Sequence, residues 1–139
     1  RMIAKDDNLV RAAQSICSGA CLEGGEDAGK GPDILVVKKG EHGSVTLYDN
    51  GLIVLPAYPT PEVVDPTGCG DTFAGALLTH LSESESIKPS HDELHSALLH
   101  ATVTASFTLS AFGTDGLTGL ERGEYHARLD SFRRMVGLL

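Results

Sequence analysis

No stretch of this sequence gathers basic residues. Its 11 Lys and Arg are outnumbered by 19 Asp and Glu, for a formal net charge of -8. A nucleic-acid surface, which neutralises phosphates with clustered Lys and Arg, is therefore not expected. A small anionic substrate stays compatible, because a few backbone N–H groups can hold it locally. No apolar run approaches the roughly 20 residues of a membrane span, so no membrane partner is expected. The opening Arg1-Met2-Ile3-Ala4-Lys5-Asp6 does not read as a secretory signal. Cysteines are few and odd in number (Cys17, Cys21 and Cys69), which fits no disulfide framework and points to a reducing, cytoplasmic setting. An initiator Met is also missing, so a fragment of a longer protein is expected. There is no internal repeat.

What is there suffices for one domain over residues 1–139, with 41% hydrophobic and 22% charged residues. Asp6-Asp7-Asn8 offers a helix N-cap, and Leu9, Ala12, Ala13, Ile16 and Ala20 recur at helical spacing up to a stop near Gly19. A glycine-rich surface loop follows. Ile34-Leu35-Val36-Val37 reads as a buried strand between Pro32 and Gly40. Val45 and Leu47 alternate with polar neighbours, Asp49-Asn50-Gly51 makes a turn, and Leu52-Ile53-Val54-Leu55 completes a hairpin. Pro56, Pro59 and Pro61 stiffen the next stretch, and Val63-Val64 is read as the tail of a short strand. A helix carries Phe73, Ala76, Leu77 and Leu81 on one face, and Ser82 to Ser86 is a polar break. Ser90 and Glu93 form a capping box for a helix with Leu94, Ala97, Leu98, Ala101, Ala105 and Leu109 on its face. Ala111 to Gly119 reads as a loop. A last amphipathic helix carries Tyr125, Leu129, Phe132, Val136 and Leu139. Strands mixed with helices of this length indicate the α/β class.

The informative segment runs from Val63 through Asp65-Pro66-Thr67-Gly68-Cys69-Gly70-Asp71-Thr72-Phe73-Ala74-Gly75-Ala76. A tight glycine turn opens directly into a helix, whose first N–H groups lack internal partners and carry about half a positive charge. Glycines at 68 and 70 let a phosphate approach the backbone. Asp71 would repel such a ligand, which makes it poorly chosen for binding alone. It is well chosen if a hydroxyl must lose its proton while attacking phosphorus. The other reading is a carboxylate that merely complements the helix start, and the residues alone leave both open.

This segment closely resembles the second signature of the ribokinase-like (PfkB) carbohydrate and nucleoside kinases. Val36-Val37-Lys38-Lys39-Gly40-Glu41-His42-Gly43 resembles that family's strand-and-glycine nucleotide loop, and Ala101 to Gly113 its helix and glycine turn beside the adenine pocket. The resemblance implies a three-layer fold with a mostly parallel central sheet. This chain would be only its C-terminal nucleotide-binding half plus an edge hairpin, without the N-terminal half that carries the lid and most of the acceptor pocket. It implies a phosphotransferase that uses ATP and Mg2+, with a sugar or nucleoside acceptor. Asp71 would be the catalytic base, with the N–H groups of Gly68, Cys69 and Gly70 as anion hole. Lys38, Gly40 and Gly43 would lie along the nucleotide phosphates and ribose, and Thr102 and Gly113 near the adenine. Asp65 and Thr67, with Gly113, match positions that hold a monovalent cation such as K+ in some members.

Two departures stand out. Cys69 replaces the family's usual Ala, and the Asn-x-x-Glu motif that organises Mg2+ has no match in the chain. A non-catalytic nucleotide-binding remnant is the alternative. Half of a doubly wound sheet exposes an unpaired strand edge and apolar surface, so a homodimer or larger self-association is expected.

Three other patterns carry less. Gly24 to Gly31 nearly fits a P-loop, but Gly31 stands where Ser or Thr is needed, and Glu26 and Asp27 would repel phosphate. Cys17 and Cys21 have no ligand at metal spacing. The histidines at 42, 80, 91, 95, 100 and 126 look scattered, and only His91 and His95 share a helix face.

Overall fold

The computed structural model describes residues 5–21, 30–49, 51–84 and 88–138. Its elements are α1 (Leu9–Ser18), β1 (Ile34–Lys38), β2 (Ser44–Tyr48), β3 (Gly51–Leu55), α2 (Cys69–Ser82), α3 (His91–Thr108), α4 (Asp115–Thr118) and α5 (Arg122–Met135). The chain divides into two compact units, Arg1–Val54 and Leu55–Leu139.

In the first unit α1 starts where Asn8 caps it, the side chain accepting the Arg11 N–H at 3.0 Å. It ends at Gly19 (φ 79°), a left-handed residue whose N–H donates to the Ile16 carbonyl. Ala13, Val45 and Leu47 make the core, with Leu9, Cys17, Leu35 and Val37 packed against it. Gly31 sits tight against the end of α1. Its N–H donates to the Cys17 carbonyl, and a Cβ there would fall 1.9 Å from the Ile16 oxygen. Of the P-loop-like stretch, residues 24–29 lie outside the described residues.

The strands form one sheet in the order β1-β2-β3. β1 pairs antiparallel with β2, from Ile34 opposite Tyr48 to Lys38 opposite Ser44. A mostly parallel sheet is therefore not what the described strands build. Only five residues, 39–43, join β1 to β2, and a parallel crossover needs a dozen or more. β1 is half-buried rather than buried. Val63 and Val64 form no strand. Both are exposed, and Val64 N–H donates to the Leu109 carbonyl at 2.8 Å as an isolated bond. Pro61 and Pro66 on either side have no N–H with which to extend a ladder.

The second unit is built around α3. Ser90 and Glu93 form the expected capping box. Eleven of the helix's eighteen residues are buried, so it is enclosed nearly all round instead of along one face. α2 packs on it through Phe73 and Leu77, and α5 through Leu129 and Phe132. The Arg128 guanidinium of α5 lies 3.6 Å over the Phe107 ring and donates to Ser106 Oγ at 3.1 Å. Within 111–119, read as loop, the single turn α4 forms. Its Gly116 is required, since a Cβ would lie 2.3 Å from the Phe107 oxygen. No described helix is long and apolar enough to cross a membrane.

Candidate functional site

The glycine turn is assembled from the inside of the second unit outwards. Asp65 opens it, one carboxylate oxygen accepting the Thr67 N–H at 2.9 Å. This turn, with the help of the Thr67 hydroxyl, holds the Asp65 carboxyl below the usual carboxylate range and so keeps it ionised. Gly68 is the N-cap of α2 at φ 80°, ψ -11°, a left-handed conformation that favours glycine. Cys69 N–H reaches back to the Pro66 carbonyl at 3.3 Å, and Thr72 N–H closes the first helical turn on the Gly68 carbonyl at 2.8 Å. No side chain caps this helix, whereas Asn8 caps α1 and Ser90 caps α3. Asp71 stands in the first turn with its side chain exposed. The turn therefore presents a helix N-terminus, two glycines and one carboxylate on the same short segment. That arrangement can hold an anion against backbone N–H groups while offering a proton acceptor beside it.

The last turns of α3 hold this segment at three points. Val64 N–H donates to the Leu109 carbonyl, the Cys69 thiol to the Ala105 carbonyl at 3.6 Å, and the Thr108 hydroxyl to Thr72 Oγ1 at 3.0 Å. The sequence reading singled out neither Thr72 nor Thr108. Their only signal was a threonine at each end of a contact spanning 36 residues.

The other expected site residues fall in different places. Thr102 is buried in α3, and its hydroxyl donates to the Leu98 carbonyl at 2.8 Å. Gly113 is an exposed left-handed residue (φ 57°) between α3 and α4. Lys38, Gly40 and Gly43 belong to the first unit. Lys38 ends β1 with its side chain exposed. Lys39 N–H donates to the Gly43 carbonyl at 2.7 Å, closing a loop in which Gly40 (φ 59°) and Gly43 (φ 79°, ψ -143°) take conformations that side chains rarely allow.

Not all histidines are scattered. His80 of α2 and His100 of α3 stack with centroids 4.5 Å apart, and His100 Nδ1 lies 2.6 Å from the Tyr125 hydroxyl of α5. Burial, followed by the neighbouring His80, Arg133 and His126, lowers His100 to about 4, against a smaller opposing effect of Glu83. Among the described residues no group of three His, Cys, Asp or Glu could hold a metal. Cys17 sits against the core of the first unit, and burial pushes its thiol up.

Residues 18–118 match the pfkB family carbohydrate kinases. A cytidine kinase from Thermococcus kodakarensis is 40% identical over 62 residues, which is 43% of this chain and 22% of that protein. Aminoimidazole riboside kinase from Salmonella enterica, solved with aminoimidazole riboside and an ATP analog, superposes with a TM-score of 0.62 at 27% identity. The match covers 71% of this chain and 32% of that one. Fructokinase from Vibrio cholerae O395, in its fructose-, ADP- and calcium-bound form, superposes with a TM-score of 0.69 over 91% of this chain and 36% of its own. At 20% identity that likeness is one of fold. The chain spans about a quarter of the length of the curated relatives it matches.

Proposed function

The chain belongs to the pfkB family of carbohydrate kinases, and from that premise we propose that it serves an ATP-dependent transfer of the γ-phosphate to a hydroxyl of a sugar or nucleoside. The observation that carries the reading is the N-terminus of α2: a left-handed glycine cap without a capping side chain, and Asp71 exposed three residues inside. Asp71 takes the proton of the acceptor hydroxyl as the new O–P bond forms and the bond to the ADP oxygen breaks. Backbone N–H groups of Gly68, Cys69 and Gly70 stabilise the charge on the transferred group, the Cys69 N–H giving up its long 3.3 Å bond to the Pro66 carbonyl to do so. Cys69 in place of Ala leaves this role intact, because it contributes through its backbone and its thiol turns away to Ala105.

Lys38, Gly40 and Gly43 are assigned to the nucleotide phosphates and ribose, and Thr102 and Gly113 to the adenine side. Asp65 is ionised and anchored, which suits the neighbourhood of a monovalent cation such as K+ with Thr67. Magnesium would be held chiefly by the ATP phosphates, since among the described residues no group of three His, Cys, Asp or Glu could hold it. No step is therefore drawn through it. We further read the chain as the C-terminal part of a ribokinase-like fold with a mostly parallel sheet, supported by the order of its motifs and the fold of its structural relatives. Exposed Leu52, Val54, Val63 and Leu78 support self-association.

The test is a calorimetric titration with a non-hydrolysable ATP analogue, with and without magnesium, followed by turnover with ATP and cytidine, ribose or fructose. Saturable binding that Gly70→Asp weakens is expected, as is a loss of turnover of roughly 10²–10⁴-fold in Asp71→Asn. Binding without any turnover would favour the non-catalytic nucleotide-binding alternative. No binding by the folded chain would overturn the assignment of the site.

A further inference from the structure

We propose that Thr108 is a positioning residue for the phosphoryl-transfer turn, one side chain bracing both ends of the arc that carries Cys69, Gly70 and Asp71. This inference rests on the function proposed above for Asp71 and deepens it. Thr108 is the last residue of α3 and is 3% exposed. A hydroxyl buried to that degree without a partner is unfavourable, and an aliphatic residue would fill the same space. Its partner is Thr72 Oγ1 at 3.0 Å, the residue directly after Asp71. Its methyl group lies on the other side of the arc, 4.0 Å from where a Cβ of Gly68 would sit. Gly68 and Thr72 are also the two ends of the first helical hydrogen bond of α2.

Thr108 thus touches the turn where that bond closes it, and residues 69–71 span the interval. The thiol of Cys69 on the Ala105 carbonyl and Val64 N–H on the Leu109 carbonyl tie the same stretch of α3 to the turn from either side. Those two contacts fix position along α3. The Thr108–Thr72 bond fixes the rotation of the first turn about its own axis, and with it the direction in which Asp71 leaves the backbone. Transfer depends steeply on such placement, a shift of about 1 Å being able to cost on the order of 10²-fold in rate.

The experiment compares Thr108→Val, Thr108→Ser, Thr72→Val and the double valine variant with the parent protein and with Asp71→Asn. The acceptor is whichever of cytidine, ribose and fructose the parent turns over. Thr108→Val should lower kcat about 10-fold or more, with the KM for ATP changed less than about 2-fold, at a temperature where the variant is fully folded. Thr108→Ser, which keeps the donor, should recover kcat to within about 2-fold. Thr72→Val removes the same bond from its half-buried partner and guards against a folding defect in Thr108→Val. It should reproduce the kcat loss, and the double variant should be no worse than the poorer single one. If Asp71→Asn abolishes turnover while both valine variants keep the parental kcat and merely melt earlier, Thr108 is structural and this inference alone fails. If Asp71→Asn turns over like the parent, or the parent turns over nothing, the functional reading fails and this inference with it.

Discussion

Two glycines of α2 should respond in opposite directions to the same substitution, and the reason can be worked through from their surroundings. Gly68 sits at φ 80°, ψ -11°, and the nearest atom to an added Cβ is Thr108 Cγ2 at 4.0 Å, an ordinary contact. Alanine there meets no clash. It suffers only the left-handed backbone, which costs about 1–2 kcal/mol for a residue with a Cβ. Reduced freedom of the unfolded chain returns part of that, leaving a net loss of about 1 kcal/mol. Gly75 lies inside the same helix with no atom within 4 Å of an added Cβ and no positive φ. Alanine there removes the helix-interior penalty of glycine and should stabilise by about 0.5–1 kcal/mol.

The gap between the two variants is thus about 2 kcal/mol. For a chain of this size roughly 3–5 °C accompanies each kcal/mol, so Gly75→Ala should melt roughly 6–10 °C above Gly68→Ala by far-UV circular dichroism. Gly68→Asn, whose side chain tolerates the left-handed region, should fall between Gly68→Ala and the parent. The nucleotide titration separates them again: Gly68→Ala should weaken binding of the ATP analogue and Gly75→Ala should leave it unchanged. Parental stability in Gly68→Ala, or an equal loss in both, would refute the conformational argument.

His100 gives a pH signature. Its folded-state value of about 4 lies below the ordinary 6.5, so the unfolded chain binds the extra proton first and stability falls as pH drops from about 6.5 to about 4, levelling below that. His100→Gln should flatten this part of the Tm–pH curve, and a variant curve parallel to the parent's would contradict the assignment. Thr46 of β2 is fully buried, and its hydroxyl has no hydrogen-bond partner among the described residues. Thr46→Val is close in shape and should stabilise by about 1–2 kcal/mol in thermal denaturation, whereas a loss would show that the hydroxyl is bonded. Light scattering should find a dimer or larger species, and changing Leu52 and Val54 to serine should shift it toward monomer. A monomeric parent would oppose the self-association reading.

The parts of this molecule legible from sequence are those fixed by local chemistry. The Ser90–Glu93 capping box, the Gly19 stop of α1 and the pairing of β2 with β3 are written within a few consecutive residues and form as read, Asn50 of the expected turn lying outside the described residues. Gly68 belongs to the same class, because a left-handed N-cap is a demand on one residue's backbone and glycine answers it where it stands. The enclosure of α3 was not legible. Thr102 and Ser106 are polar and lie outside the apolar face read for this helix, yet they are buried, each hydroxyl bonding a carbonyl one turn back in its own helix, Leu98 and Val103 respectively. A pattern of apolar residues cannot show a polar residue that supplies its own partner in this way.

The contacts that orient the site were beyond reach for a related reason. His80 meets His100 across α2 and α3, and Thr72 meets Thr108 across 36 residues. Neither pair has a shared period or a turn to announce it. The conformation of the glycine turn is therefore encoded in the turn, whereas its aim is encoded in α3. A substitution in the Gly68–Asp71 segment removes chemistry, but one at Thr108 keeps every atom of that segment and changes only where Asp71 points. That division explains why a motif can be recognised without the helix that supports it. It also predicts that grafting Asp65–Gly75 onto another helix start would preserve the backbone angles of Gly68 and lose the transfer activity, unless a buried donor equivalent to Thr108 were grafted with it.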